Sequence, residues 1–210
     1  MPDAIEERSF AIIDAETGDN RPFSGDAWHV ARRLVHTTGD ISLLSDLYLP
    51  DASVAAGVRA ILAGAPIFTD TEMVKAGIPV RRLTATGNKV TCLLSQPQVA
   101  EEAARLRCTR SRAGLLLAAE RLSGAIIAVG NAPTSLLALL EHLDAGGGLP
   151  ALVIGMPVGF VNAEESKELL IEARQRHPGL HCLVLRGRRG GSPLAAATVN
   201  ALAVLASSAA

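Results

Sequence analysis

From about residue 66 onward the chain alternates short, unbroken apolar runs with longer segments of helical period. The runs are PIF at 66–68, KVTCLL at 89–94, AIIAVG at 125–130, ALVIG at 151–155 and CLVLRG at 182–187. Apolar at consecutive positions, they predict five strands covered on both faces, since a strand with one wet face alternates apolar and polar residues. The segments PQVAEEAARL, SRAGLLLAAERL, PTSLLALLEHLDA and AEESKELLIEARQR between them are long enough for crossover helices. This alternation predicts an α/β protein with three α/β/α layers around a mostly parallel, five-stranded, flavodoxin-like sheet. Helical patterns at 24–38, 41–48 and 51–63 precede the unit as an N-terminal helical extension. No break in composition marks a linker, so residues 1–210 read as one domain. GGGLP at 146–150 reads as a helix stop before a strand, and the tail ASSAA is expected to fray.

Composition narrows the partners. Hydrophobic residues make up 49 % of the 210 residues but aromatics only 3 %, so the core is aliphatic and base stacking has little to work with. A net charge of −1 removes the basic footprint of a protein that neutralises phosphates, and nucleic acid is not an expected partner. Cys92, Cys108 and Cys182 are spaced by 16 and 74 residues, which fits neither a zinc pattern nor a disulfide framework. They read as reduced thiols. With no leader pattern and no apolar run of about 18 residues, the sequence predicts a cytoplasmic protein without a membrane partner.

In open parallel sheets, ligands bind beyond the carboxyl ends of the strands. The segments following the five runs are TDTEMV, LSQP, GNAPTS, GMPVGF and RGRRGGSP, and their Gly, Ser, Thr and Asn content predicts N–H-rich loops suited to an anionic ligand. Neither G-x-x-x-x-G-K-[ST] nor G-x-G-x-x-G occurs after a strand, which argues against the usual nucleotide cradles, and G-x-S-x-G is missing too. GRRGGS at 187–192 is either an anion cradle or a flexible turn.

On a helical wheel of 24–38, Ala27, Val30, Ala31, Leu34, Val35 and Thr38 share one face, and His36 points nearly opposite, beside His29 and Arg32. His29 and His36 lie about 10 Å apart along the axis, too far to share one metal ion. Gly39 is placed to end the helix in the left-handed conformation, which puts His36 in the last turn, where the helix dipole favours imidazolium. On these grounds alone, His36 is either a solvated helix-end histidine or a proton-transfer group.

Several strings taken together carry a resemblance: ERSFAII (7–13), HTTGD (36–40), GAPIFTDTEMV (64–74), TRSRAG (109–114), GNAPT (130–134), GMPVGFVNAEESK (155–167) and RGRRGGSPLAAATVNAL (186–202). In order and across nearly the whole chain, these resemble the precorrin-8X methylmutase family, including its cobalt-precorrin-8 branch. The resemblance implies an isomerase of vitamin B12 biosynthesis that moves a methyl group from C-11 to C-12 of a tetrapyrrole, giving hydrogenobyrinic or cobyrinic acid. It implies no organic cofactor and no catalytic metal. His36 would be the catalytic residue, placed to protonate or hydrogen-bond the macrocycle, and Ser9 and Arg110 would line the substrate site. Thr109, Ser111, Asn131, Thr134, Gly159, Lys167, Arg188, Gly190, Gly191 and Ser192 fall in the same matched strings as further substrate-binding candidates. A homodimer and a hand-over of product to the next pathway enzyme are also implied. Ser135 departs from the alanine common in the family.

The chemistry is compatible. A sigmatropic shift needs no nucleophile, and one proton on a ring nitrogen makes the π-system more electron-poor. The many carboxylates of such a substrate would favour imidazolium, and would explain basic residues near the rim: Arg110, Lys167, Arg186, Arg188 and Arg189. Each has a plainer reading as well. Lys167 would pair with Glu164 on an exposed helix face, Arg188 and Arg189 would be solvated turn residues, and Asn131 and Thr134 would cap a helix that has Pro133 in its first turn. Two other functions stay open at this level: a tetrapyrrole carrier without catalysis, and an unrelated nucleotide-binding flavodoxin-like domain.

Overall fold

The computed structural model describes residues 2–19 and 21–209. Helices α1 (Pro2–Thr17) and α2 (Gly25–Thr38) open the chain, and a 3-10 helix (Ile41–Asp46) leads into strand β1 (Leu47–Tyr48). Then follow α3 (Asp51–Leu62), β2 (Ile67–Thr69), α4 (Glu72–Ala76), β3 (Val90–Cys92), α5 (Val99–Leu106) and α6 (Arg110–Leu117). β4 (Ile126–Val129), α7 (Pro133–Asp144), β5 (Leu152–Gly155), α8 (Ala163–Arg176), β6 (Cys182–Leu185) and α9 (Ser192–Ala209) complete the alternation.

All five apolar runs form strands, yet the sheet has six, in the order β1-β6-β5-β4-β2-β3. The five predicted strands are parallel to one another, with Ile126 opposite Leu152 and Val153 opposite Cys182. Counted from β2, they lie in the doubly wound order 2-1-3-4-5. The sixth corrects the five-stranded expectation: Leu47 and Tyr48 pair antiparallel with Leu185 and Val184 at the sheet edge. Residues 41–48, expected to be helical, divide between the 3-10 helix and this strand because the turn after α2 brings Leu47 alongside β6.

Strand side chains alternate between two cores. Ile126, Ala128, Leu152, Ile154, Leu183 and Leu185 pack with residues of α2, α3 and α9, including Val30, Leu34, Val54, Ile61, Val199 and Leu202. Ile127, Val129, Val153, Cys182 and Val184 meet Leu115, Leu136, Leu139, Leu143 and Leu170 from α6, α7 and α8. The layers are therefore helix, sheet, helix, and the core is aliphatic as the composition requires. Among the described residues, no helix is long and apolar enough to cross a membrane.

The tail, expected to fray, is helical through the described residues. α9 continues to Ala209, with Ala206 buried, and the hydroxyls of Ser207 and Ser208 donate to the carbonyls of Ala203 and Val204 at 2.8 and 3.1 Å. Ala210 lies outside the described residues.

Candidate active site

α2 ends as its sequence dictates. Gly39 takes φ 65° and ψ 22°, and its N–H donates to the Val35 carbonyl at 2.8 Å, which places His36 in the last turn. The buried face is Ala27, Trp28, Val30, Ala31, Leu34 and Val35; Thr38, expected on it, is exposed. His36 faces away from this core, as the wheel requires, but it is half-buried rather than solvated. The cover is α1.

α1 docks through polar contacts. The Asp14 carboxylate accepts from the Trp28 indole N–H at 2.8 Å and from Arg32 Nη1 at 2.6 Å. Glu6 accepts from Arg33 Nη1 at 2.5 Å, and that guanidinium holds the Glu6 carboxyl below its ordinary value against the opposing effect of burial. The Phe10 ring lies under both guanidinium groups, 4.4 Å from Arg32 and 4.8 Å from Arg33. It also meets the His36 ring, edge to face at 5.3 Å between centroids, and packs against the hydrophobic core.

This docking brings Ser9 to His36. Ser9 Oγ and His36 Nδ1 are 2.8 Å apart, so the hydroxyl engages Nδ1 and leaves Nε2 as the second ring nitrogen. A cavity of about 380 Å³ opens here, lined by Ile5, Arg8, Ser9, Ile12, Ile13, Glu16, Val35, His36, Gly39 and Ile41. Its walls are chiefly apolar, with Arg8, Glu16, Ser9 and His36 as polar points. Arg8 and Glu16 escape a reading of the sequence because only the α1 packing shows that they share a cavity with His36. His29, two turns back, is pushed down from its ordinary value by burial and by Arg32 and Arg33. Among the described residues, no group of three or more His, Cys, Asp or Glu side chains could hold a metal ion.

The other candidates gather at the strand tips. Thr109 caps α6, accepting from the Arg112 N–H at 3.2 Å, and its hydroxyl lies 2.8 Å from that of Thr134. Arg110, the first residue of α6, is exposed, and the Ser111 carbonyl accepts from the Ser135 hydroxyl at 3.3 Å. Ser192 Oγ lies 3.2 Å from Thr71 Oγ1. Neither Asn131 nor Thr134 caps α7 with its side chain, although Pro133 does occupy the first turn.

One expectation at this rim is overturned. The N–H groups of GNAPTS do not wait for an anionic ligand, because the buried Asp70 carboxylate already accepts from Gly130, Asn131 and Ala132 at 3.0, 2.7 and 2.8 Å. Burial raises the Asp70 carboxyl above its ordinary value while these three bonds pull it down. Asp70 gave no signal in the sequence.

The loops after β5 and β6 are laced together. The Gly191 N–H donates to Met156 at 2.8 Å and the Gly159 N–H to Arg188 at 3.2 Å. A Cβ on Gly190 would sit 2.3 Å from the Met156 carbonyl oxygen, so only glycine permits this approach. Lys167 is fully buried, and its ammonium donates to the carbonyls of Pro157 at 3.0 Å and Arg189 at 2.8 Å. The exposed pairing with Glu164 is thereby corrected: Lys167 ties two loops together instead of offering a free cation. Arg186 pairs with Glu168 at 3.4 Å, and exposed Arg188 stands 5.5 Å from the Phe160 ring. Arg189 is not a solvated turn residue either, since it pairs with Asp40 and Asp46 at 2.8 and 2.6 Å.

Burial lowers the Lys167 ammonium from 10.5 to about 8, while Glu164, Glu168 and Asp46 pull the other way. Between those two pH values the unfolded chain binds more protons at this position than the folded protein does, so the contribution of Lys167 to stability rises with pH across the window. Urea midpoints of wild type and Lys167→Met, compared at pH 7.5 and above 10, should show the gap moving in favour of wild type. A constant gap would contradict the burial of this ammonium.

Fold and cavity together define a doubly wound α/β protein with a histidine–serine site on its helical flank. Residues 4–205 match the family described as CbiC: Precorrin-8X methylmutase. The chain belongs to this precorrin-8X methylmutase family. A precorrin-8X methylmutase from a Sinorhizobium species is 46 % identical, covering 95 % of this chain and 93 % of the relative. A cobalt-precorrin-8 methylmutase from Priestia megaterium is 39 % identical, covering 99 % of this chain and 90 % of the relative. The crystal structure of precorrin-8x methyl mutase from Thermus thermophilus superposes with a TM-score of 0.88 at 44 % identity, covering 98 % of each chain.

Proposed function

We propose that this chain isomerises precorrin-8X or its cobalt counterpart by moving the methyl group from C-11 to C-12, giving hydrogenobyrinic or cobyrinic acid, with His36 as the proton donor. The observation that carries the proposal is the Ser9–His36 pair, 2.8 Å apart, at the wall of an apolar cavity in a chain of this family. As imidazolium, His36 donates from Nδ1 to Ser9 Oγ and presents Nε2–H to a ring nitrogen. Protonation there draws electron density from the π-system and lowers the barrier to migration. After the shift the proton returns from the macrocycle to His36 Nε2, so the isomerisation consumes none. Because a hydroxyl accepts as well as donates, Ser9 holds the ring in either protonation state.

The cavity is near the small end of the roughly 300–1,000 Å³ range of ligand sites, which suits one edge of a macrocycle. Ile5, Ile12, Ile13, Val35 and Ile41 would face that edge, and Arg8 would take a carboxylate arm. Arms reaching past the cavity would meet exposed Arg110 and Arg188 at the rim, with Thr109, Ser111, Asn131, Thr134, Gly159, Gly190, Gly191 and Ser192 shaping its loops. A homodimer is part of the proposal, supported by exposed Ile5 and Ile12 at the cavity and Val158, Phe160 and Val161 on the loop after β5. We place the reaction in the cytoplasm, with product passed to the next enzyme of the pathway.

Incubation of the purified protein with precorrin-8X tests the reading. A product of unchanged mass with a shifted visible spectrum is expected. Tight retention of the coloured ligand, recovered unchanged, would replace the enzyme with a carrier.

A further inference from the structure

We propose that Arg189 is a positioning residue for this reaction: it bolts the segment that follows the His36 helix onto the strand-tip loops, so that the histidine and the 186–192 loop hold one fixed geometry. The inference rests on His36 being the proton donor.

Four bonds run from one guanidinium to the seven residues after Gly39, Asp40 to Asp46. Nη1 donates to Asp40 Oδ2 at 2.8 Å and to Ser42 Oγ at 3.0 Å. Nη2 donates to the Ser42 carbonyl at 3.2 Å and to Asp46 Oδ2 at 2.6 Å. The two terminal nitrogens of a planar guanidinium offer four N–H groups in a fixed fork, enough for all four bonds, whereas an ammonium has three. Asp40 is also the cap of the 3-10 helix, its Oδ1 accepting from the Ser42 N–H at 2.9 Å. The guanidinium thus grips the first rigid element beyond the end of α2.

The backbone of Arg189 is gripped from the other side. Buried Lys167 donates to its carbonyl, and the neighbouring Gly190 lies against Met156 and Pro157 in the loop after β5. One residue therefore joins the core of the strand-tip rim to the His36 helix. Gly39, left-handed at φ 65°, is the only residue between Thr38 at the end of α2 and the gripped Asp40. With the side chain 40 % exposed, the charge pairing itself stabilises little. Its consequence is geometric, because a proton donor misplaced by about 1 Å can lose on the order of 100-fold in rate.

Steady-state turnover of precorrin-8X by Arg189→Met, Arg189→Lys and the double variant Asp40→Asn/Asp46→Asn tests this, beside nitrogen-15 spectra of the His36 imidazole without substrate. Arg189→Met and the double variant are each expected to lower kcat by about 10-fold to 100-fold with KM within about twofold of wild type, and to shift the His36 Nδ1 resonance. Arg189→Lys should recover part of kcat by neutralising one carboxylate. The double variant leaves the 186–192 loop untouched, so it carries the test if Arg189→Met fails to fold. A rise in KM with kcat unchanged would make Arg189 a substrate-carboxylate ligand and overturn the proposal. So would wild-type kcat with an unmoved Nδ1 resonance while His36→Ala is inactive. Full activity of His36→Ala would instead remove the proton-donor reading on which the proposal stands.

Discussion

Replacing Asp70 with alanine is expected to lower the free energy of unfolding by about 3 kcal/mol, since the buried N–H groups of Gly130 and Ala132 lose their acceptor at a cost of roughly 1–3 kcal/mol each and the part-buried N–H of Asn131 at less. The sum is not fully additive, because removing the carboxylate also removes its own burial penalty, visible in the raised carboxyl. What the substitution unmakes is local. The turn from β4 into α7 spans Gly130 to Ala132, and Asp70, directly after β2, is the group that closes it. Asp70→Asn keeps an acceptor oxygen and should fall between alanine and wild type. Urea denaturation reads both, as a lower midpoint with unchanged slope. A loss below about 0.5 kcal/mol in Asp70→Ala would mean that the turn holds itself.

Replacing His36 with alanine should lower kcat by about 100-fold to 10,000-fold, the usual weight of a positioned proton donor. KM should change little, because substrate affinity is assigned to the apolar walls and to Arg8. The variant should fold. His36 is half-buried at the edge of α1, and the ties between α1 and α2 run mostly through Asp14 and Glu6 to Trp28, Arg32 and Arg33. Loss of the Phe10 ring contact should cost about 1 kcal/mol. Equal losses in kcat and kcat/KM would mark an interaction made in the transition state, whereas a loss confined to KM would reduce His36 to a binding group.

How much of this was legible in the sequence depends on what kind of contact carries each element. The five parallel strands are visible because residues such as Ile126 to Val129 are buried on both faces and leave unbroken apolar runs. α2 is visible for its stripe and for Gly39. Strand β1 is not, since two residues make no pattern and only the pairing with β6 defines them. α1 is hidden for a different reason: beside buried Ile13 and half-buried Phe10 it holds its place through Glu6 and Asp14, and so short an apolar contact makes no stripe. The cover over His36 is therefore invisible in the sequence, where the wheel alone leaves the histidine either a solvated helix end or a proton-transfer group.

At the strand tips the sequence displays the residue types but not their partners. GNAPTS does mark N–H groups turned toward an anion, but Asp70, 60 to 62 residues away in sequence, takes those of Gly130, Asn131 and Ala132. Arg189 and Lys167 read as free cations for a polycarboxylate. The acceptors of Arg189 lie 143 to 149 residues away at Asp46, Ser42 and Asp40, and those of Lys167 are backbone carbonyls, which no spacing reveals. Ser9 and His36 came together from the family motif, and the packing of α1 supplies the physical reason.

The most direct measurement follows the migrating group itself. Precorrin-8X labelled with carbon-13 in the methyl group on C-11 would be incubated with wild-type protein and with His36→Ala, and the label located by NMR. The account predicts that wild type moves the label to C-12 at full conversion and unchanged mass, while His36→Ala does so at least about 100-fold more slowly. A label that stays on C-11 with wild type, or that moves equally fast in both proteins, would contradict it.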